Sequence, residues 1–302
     1  MIFDSAECRI EIRLGPGGPS LLSMPESFWE RMMALAGARI VSGFSTPSCH
    51  AFILSQSSLF VFRHKIVAVT CGASGLAASA AQILFRLSSH KVFLLAYSRA
   101  LGREGRRAAF QDKSALEAIM PGGRWVEMEP RDAMPSAFFL AGPGAAEKPS
   151  LGFELVMQDI APAASADFHP GNGGSVALAL DRSGIGGFIE GFTVESRMFH
   201  PAGYSLNAVR GEDYFTLHVS PEAGRSYVGI KSSLTEGLEG LTRGVFGHFS
   251  PGSATLLTSG GGGAPEGGAQ TASFPFWARE AGFEFCVYSP RAAGVAGLDT
   301  PA

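Results

Sequence analysis

Leu54-Ser55-Gln56-Ser57-Ser58-Leu59-Phe60 joins two apolar runs, Ala51 to Leu54 and Ser58 to Phe62, and Thr70-Cys71-Gly72 closes the next strand-like run. Short apolar runs bounded by polar residues read as buried strands. A serine pair at such a junction is chemically odd. A hydroxyl inside a buried strand needs a hydrogen-bond partner or a chemical task.

The strand signal extends in both directions. Arg9-Ile10-Glu11-Ile12-Arg13-Leu14 and Tyr214-Phe215-Thr216-Leu217-His218-Val219 alternate with period two, as Ser226 to Ile230 does more loosely. Lys65 to Cys71, Val92 to Tyr97, Ala137 to Leu140, Phe153 to Met157, Ala254 to Leu257 and Phe283 to Tyr288 also read as strands. Helical spacing appears over Met24 to Leu35, with Phe28, Met32 and Leu35 on one face, and over Leu76 to Leu87, Lys113 to Met120 and Leu234 to Val245. Many antiparallel-type strands with few helices between them predict an α+β fold.

Composition narrows the function. A chain of 302 residues has ample core to bury, and a net charge of −3 gives no electrostatic footprint for nucleic acid. No apolar run approaches the roughly 18 residues that span a bilayer, so no membrane partner is expected. Asp4 and Glu7 stand where a signal peptide carries basic residues. Cys8, Cys49, Cys71 and Cys286 lack metal or disulfide-framework spacing, which points to a reduced cytoplasm and no metal. Gly15 to Pro19 reads as a turn and Ser259 to Gln270 as a flexible glycine-rich loop, without the Gly-Lys-Ser ending of a phosphate cradle. Arg99, Arg103, Arg106 and Arg107 read as a solvated basic loop, and no internal sequence repeat is evident.

The serine junction resembles the self-cleavage site of the eukaryotic-type, pyruvoyl-dependent S-adenosylmethionine decarboxylases. Further motifs follow in that family's order: Phe3-Asp4-Ser5-Ala6-Glu7 with Glu11, Cys71 fourteen positions after Ser57, Tyr97-Ser98-Arg99, Met198 to Asn207, and Thr216 to Glu222 followed by Ser226-Tyr227-Val228. The resemblance covers residue 3 to about residue 230.

That resemblance implies a four-layer αββα sandwich with two central antiparallel sheets. It implies a single domain over 1–302, cut between Gln56 and Ser57 into a β chain of 1–56 and an α chain of 57–302. Ser57 would become the pyruvoyl group, the enzyme's self-derived cofactor, which forms a Schiff base with the substrate amine. Ser205 would stabilise the oxyanion of processing, and His218 would act as its base. Cys71 would protonate the carbanion left after decarboxylation. Phe3 and Phe199 would flank adenine, and Glu222 would hold the ribose hydroxyls. Asp4, Glu7 and Gln56 would lie near the substrate. S-adenosyl-L-methionine is the implied partner, and a homodimer is compatible with the reading.

The chain departs from the family pattern in three ways. Gln56 replaces a glutamate before the processed serine, and Asp4 is one methylene shorter than the usual glutamate. The acidic cluster that binds the activator putrescine in animal members keeps Glu11 and Glu154, but Ser150 and Lys231 replace acids and Val69 replaces a lysine. Lys231 is expected to pair with Glu11 or Glu154. Two other functions fit the same motifs: a weakly active regulatory paralogue, and a pyruvoyl decarboxylase of another amino acid. Retention of Ser57, Cys71, Ser205 and His218 argues against the first, and Phe3, Phe199 and Glu222 argue against the second.

Overall fold

The computed structural model describes residues 7–55, 57–71, 75–87, 92–101, 105–128, 136–147, 151–170, 175–222, 224, 226–259, 269–271 and 283–288. The first half supplies strands β1 (Glu7–Leu14), β2 (Ile40–Ser45), β3 (Cys49–Leu54), β4 (Ser57–Phe62), β5 (Lys65–Cys71), β6 (Val92–Ala100), β7 (Arg124–Met128) and β8 (Ser136–Ala141). The second supplies β9 (Phe153–Gln158), β10 (Thr193–Met198), β11 (Tyr204–Arg210), β12 (Asp213–Ser220), β13 (Tyr227–Ser232), β14 (Ser253–Ser259), β15 (Ala269–Thr271) and β16 (Phe283–Tyr288). Each half forms one eight-stranded sheet. The pairings are antiparallel.

Period two explains the layering. In β1, Ile10, Ile12 and Leu14 pack under helices α1 (Glu26–Leu35) and α2 (Leu76–Leu87), among Trp29, Met33 and Leu84. Helix α3 (Gly105–Ile119) lies on the same side. Alternate residues of β1 face the other sheet instead: Arg9 reaches Glu154 and Tyr214, and Glu7 reaches Lys231. In β12, Phe215, Leu217 and Val219 pack beneath α7 (Leu238–Phe249), while Tyr214, Thr216 and His218 face the first sheet. Helices α4 (Pro162–Ala166), α5 (Val176–Arg182) and α6 (Ile185–Phe188) complete that outer layer. The protein is therefore an α+β, four-layer αββα sandwich. One part of the space between the sheets is apolar, with Phe60, Phe62, Val67, Val209 and Tyr214, and the rest is a polar seam.

The two sheets share one topology. Their orders are β2-β3-β4-β5-β1-β6-β8-β7 and β10-β11-β12-β13-β9-β14-β16-β15, so each strand of the second matches the strand eight earlier in the first. The repeat is absent from the sequence because antiparallel pairing constrains alternation rather than residue identity.

Several elements differ from the sequence reading. Strand β11 is buried along Tyr204–Val209, with Ser205 and Asn207 inside, so its polar residues mask the strand signal. Strand β10 is an exposed edge with little apolar content. Helix α3 begins at Gly105, eight residues before the expected start. Arg99 is not solvated: it is buried and donates through Nε to Tyr97 at 2.7 Å and Asp112 at 2.6 Å, tying α3 to β6. Arg103 and most of the glycine-rich loop lie outside the described residues.

Candidate active site

The β3–β4 hairpin carries the serines. Its tip is anchored by Ser55, whose N–H donates to Arg39 O at 2.8 Å and whose Oγ accepts from Arg39 N–H at 3.1 Å. In the ladder Ser57 is opposite Thr70 and Ser58 is opposite Val69. Alternation would turn Ser57 toward the helices and Ser58 toward the second sheet. Ser57 instead has a φ of 149°, a conformation that favours glycine. This strain costs about 1–3 kcal/mol and persists only where the surroundings impose it. It brings both serines to one histidine nitrogen: Ser57 Oγ is 3.0 Å and Ser58 Oγ 3.2 Å from His218 Nε2.

His218 is placed by register, opposite Ser205 on β11 and Gly229 on β13. Its Nδ1 lies 2.9 Å from Ser205 Oγ. Burial, reinforced by the positive charge of Lys231, pushes the imidazole down to about 3, so it is neutral and can act as a base. In the tautomer whose Nδ1–H donates to Ser205, Nε2 carries the free lone pair and the Ser205 hydroxyl keeps its own proton to donate.

Cys71 ends β5 directly opposite Glu7. Its Sγ is in hydrogen-bond contact with the hydroxyl of Tyr227, which enters from β13. Burial, with Glu7 nearby, raises the thiol to about 12 and keeps it protonated. Glu7 is ion-paired with Lys231, and burial outweighs that pairing to raise its carboxyl. Gly229 makes the pair possible, since a Cβ there would lie 2.7 Å from both Glu7 oxygens.

A partly open cleft is lined by Ser57, Cys71, Phe199, Ser205, His218 and Tyr227, among others. Five sequence-nominated residues thus converge. Glu222 is described but does not line the cleft. Phe3, Asp4, Gln56 and Ser150 lie outside the described residues.

The expected pairing of Lys231 is incorrect. Lys231 stands opposite Glu154 in the ladder, yet its ammonium reaches Glu7. Glu154 is already occupied: it accepts from Arg9 at 2.9 Å and from Ser98 at 2.8 Å. Arg9 also pairs with Glu11 and donates to Tyr214 at 2.9 Å. Burial alone would lower the guanidinium, but Tyr214, Glu11 and Glu154 hold it charged and above its ordinary value.

The sequence profile of the adenosylmethionine decarboxylase family matches residues 1–101 and 129–267. The chain belongs to that family. It is accordingly an enzyme, a carboxy-lyase. Among similar decarboxylases, the S-adenosylmethionine decarboxylase proenzyme of Dictyostelium discoideum is 26% identical over 295 residues, spanning 89% of this chain and 78% of the relative. Proenzyme 3 of Arabidopsis thaliana is 28% identical over 256 residues, spanning 76% of this chain and 73% of the relative. The crystal structure of the Trypanosoma brucei AdoMetDC-delta26 monomer superposes with a TM-score of 0.55 at 16% identity, covering 76% of this chain and 96% of that one, a likeness of fold.

Sequence reasoning gave no individual role to Ser58, Asn207, Thr216, Tyr227 or Arg9. Asn207 and Thr216 were nonetheless legible, two positions from Ser205 and His218 and hence on the same strand face.

Proposed function

We propose that this chain cleaves itself between Gln56 and Ser57 and, as a β chain of 1–56 and an α chain of 57–302, decarboxylates S-adenosyl-L-methionine. The observation that carries the reading is Ser57: strained, buried, and 3.0 Å from a neutral His218. The Ser57 hydroxyl gives its proton to Nε2 as Oγ attacks the Gln56 carbonyl carbon. Ser205 donates to the developing oxyanion, the amide C–N bond breaks, and the Ser57 nitrogen takes the proton. His218, neutral again, then takes the Cα proton of residue 57 as the Cβ–Oγ bond breaks and the β chain leaves as its C-terminal carboxylate. The resulting enamine shifts to an imine, and water replaces its nitrogen, released as ammonia, to leave the pyruvoyl group.

The residues present fit that group. Its parent serine borders the cleft, and Glu7 Oε1 is buried with no hydrogen-bond partner among the described residues, an acceptor close to Cys71. When formed, the pyruvoyl group supplies the electron sink for loss of carbon dioxide. Cys71, held as a thiol, is the proton donor. Phe199 offers the cleft an aromatic face for adenine or the sulfonium cation. Phe3 and Glu222 are assigned to adenine and ribose, and Asp4, Glu7 and Gln56 to the reaction centre, by family motif. A reducing cytoplasm suits the free thiol. Arg9 fills the carboxylate site between the sheets, so putrescine is not an activator.

Intact-mass measurement of the purified protein tests the reading. The expected result is two chains split at residue 57, the larger blocked at its N-terminus, with Ser57→Ala giving one uncut chain. Cleavage of Ser57→Ala at the same bond would overturn it.

A further inference from the structure

Three hydroxyls compete for one imidazole nitrogen. Thr216 Oγ1 lies 2.8 Å, Ser57 Oγ 3.0 Å and Ser58 Oγ 3.2 Å from His218 Nε2. A neutral imidazole whose other nitrogen donates to Ser205 has a single lone pair to offer there. The choice matters chemically, because each serine adjoins a carbonyl it can attack: Ser57 that of Gln56, Ser58 that of Ser57. Attack by Ser58 would break the chain one residue late.

We propose that Asn207 is the positioning residue that selects Ser57, by taking up the hydroxyl protons of both rivals. The inference rests on the self-cleavage reading. Asn207 Oδ1 accepts from Ser58 Oγ at 2.5 Å and from Thr216 Oγ1 at 3.0 Å. A carbonyl oxygen has two lone pairs, and these two bonds fill them. Each rival has one proton, now committed away from the base, so Ser57 holds the hydroxyl proton that Nε2 can accept. Among the described residues, Ser57 Oγ contacts His218 and makes no hydrogen bond to Asn207.

The amide itself is fixed. Asn207 is fully buried, and its Nδ2 donates to Phe52 O at 2.9 Å on β3, the strand that leads into the scissile hairpin. That bond sets which end of the amide faces the hydroxyls. Register supplies the rest, since Asn207 stands opposite Thr216 just as Ser205 stands opposite His218. One face of β11 and β12 thus places the sorter beside the base.

The test is a pulse-labelled, cell-free synthesis of the full chain, with conversion to two chains followed over time and the cut bond read by mass. Wild type is expected to cut at Gln56–Ser57. Asn207→Leu, of similar volume but without an acceptor, releases both rivals onto Nε2 and is expected to slow cutting at least tenfold. Adding Ser58→Ala and Thr216→Val removes the rivals and is expected to recover most of that loss. A merely structural role predicts that the extra substitutions make matters worse. The triple variant strands no hydroxyl, so it reports even where Asn207→Leu alone fails to fold. Wild-type speed in Asn207→Leu, or a folded triple variant that stays uncut, would overturn the sorting role and leave self-cleavage standing. An uncut wild-type chain would overturn both.

Discussion

Lys231 of β13 and Glu7 of β1 form an ion pair that bridges the two sheets, with 2% of either side chain exposed. Breaking such a pair leaves one charge buried and uncompensated. Lys231→Met is expected to lower unfolding free energy by about 3–5 kcal/mol, read from urea denaturation of the uncleavable Ser57→Ala precursor. Removing both charges with Glu7→Gln should recover a substantial part. Equal stability of single and double variants would show that the pair is not coupled.

His218 gives stability a defined pH dependence. Its folded pKa is depressed from 6.5 to about 3, mainly by burial. Below about pH 6.5 the unfolded chain takes up a proton that the folded one refuses, so stability falls as pH drops from there toward about 3. The expected slope from this group is at most about 1.4 kcal/mol per pH unit. His218→Gln, which carries no titrating group, should flatten that part of the profile in the Ser57→Ala background. For the same reason self-cleavage should hold a constant rate between pH 6 and 8, and a rate falling with a midpoint near 6.5 would show a histidine exposed to solvent.

Cys71 is held as a thiol, raised to about 12 by burial and by Glu7. Its alkylation by iodoacetamide at pH 8 should therefore run at least tenfold slower than that of a free cysteine. Cys71→Ala should lower turnover far more than it slows cleavage, because the thiol serves the later step. Tyr227→Phe removes the hydroxyl against the sulfur and is expected to reduce turnover less than Cys71→Ala does. An equal loss in cleavage and turnover would place Cys71 in processing instead.

Alternation along β1 and β12 already marks which residues face the seam, and the antiparallel sheets follow from it. Strands β2 and β7 of the first sheet and β10 and β11 of the second were less legible. β11 hides its signal because Ser205 and Asn207 point inward, where alternation normally leads one to expect apolar residues. The site shows the same limit. Ser57, Cys71, Ser205 and His218 stand out through motif, whereas the Arg9–Glu154 and Lys231–Glu7 pairs join residues 145 and 224 positions apart. Such contacts depend on how two sheets are superposed, which local periodicity does not encode. The inversion of Ser57 is a further case, since alternation assigns it to the wrong face.

Putrescine should change neither cleavage nor decarboxylation. A diamine needs carboxylates for its two ammonium groups, and Glu11 and Glu154 are both bound to the Arg9 guanidinium, with Arg13 adding a contact to Glu11 at 2.5 Å. Displacing Arg9 would leave it buried without its partners, at a cost of several kcal/mol for the bare charge, whereas an added diamine would bring like charge into a poorly solvated seam. Arg9→Leu removes the resident cation and leaves both carboxylates buried. That variant is expected to lose stability at neutral pH and to regain part of it in millimolar putrescine, seen as a rise in thermal midpoint absent from the wild type. Carbon dioxide release measured with and without the diamine completes the comparison. A several-fold stimulation of the wild-type chain would mean that Arg9 yields the site, and that the ion-pair network between the sheets is weaker than its geometry indicates.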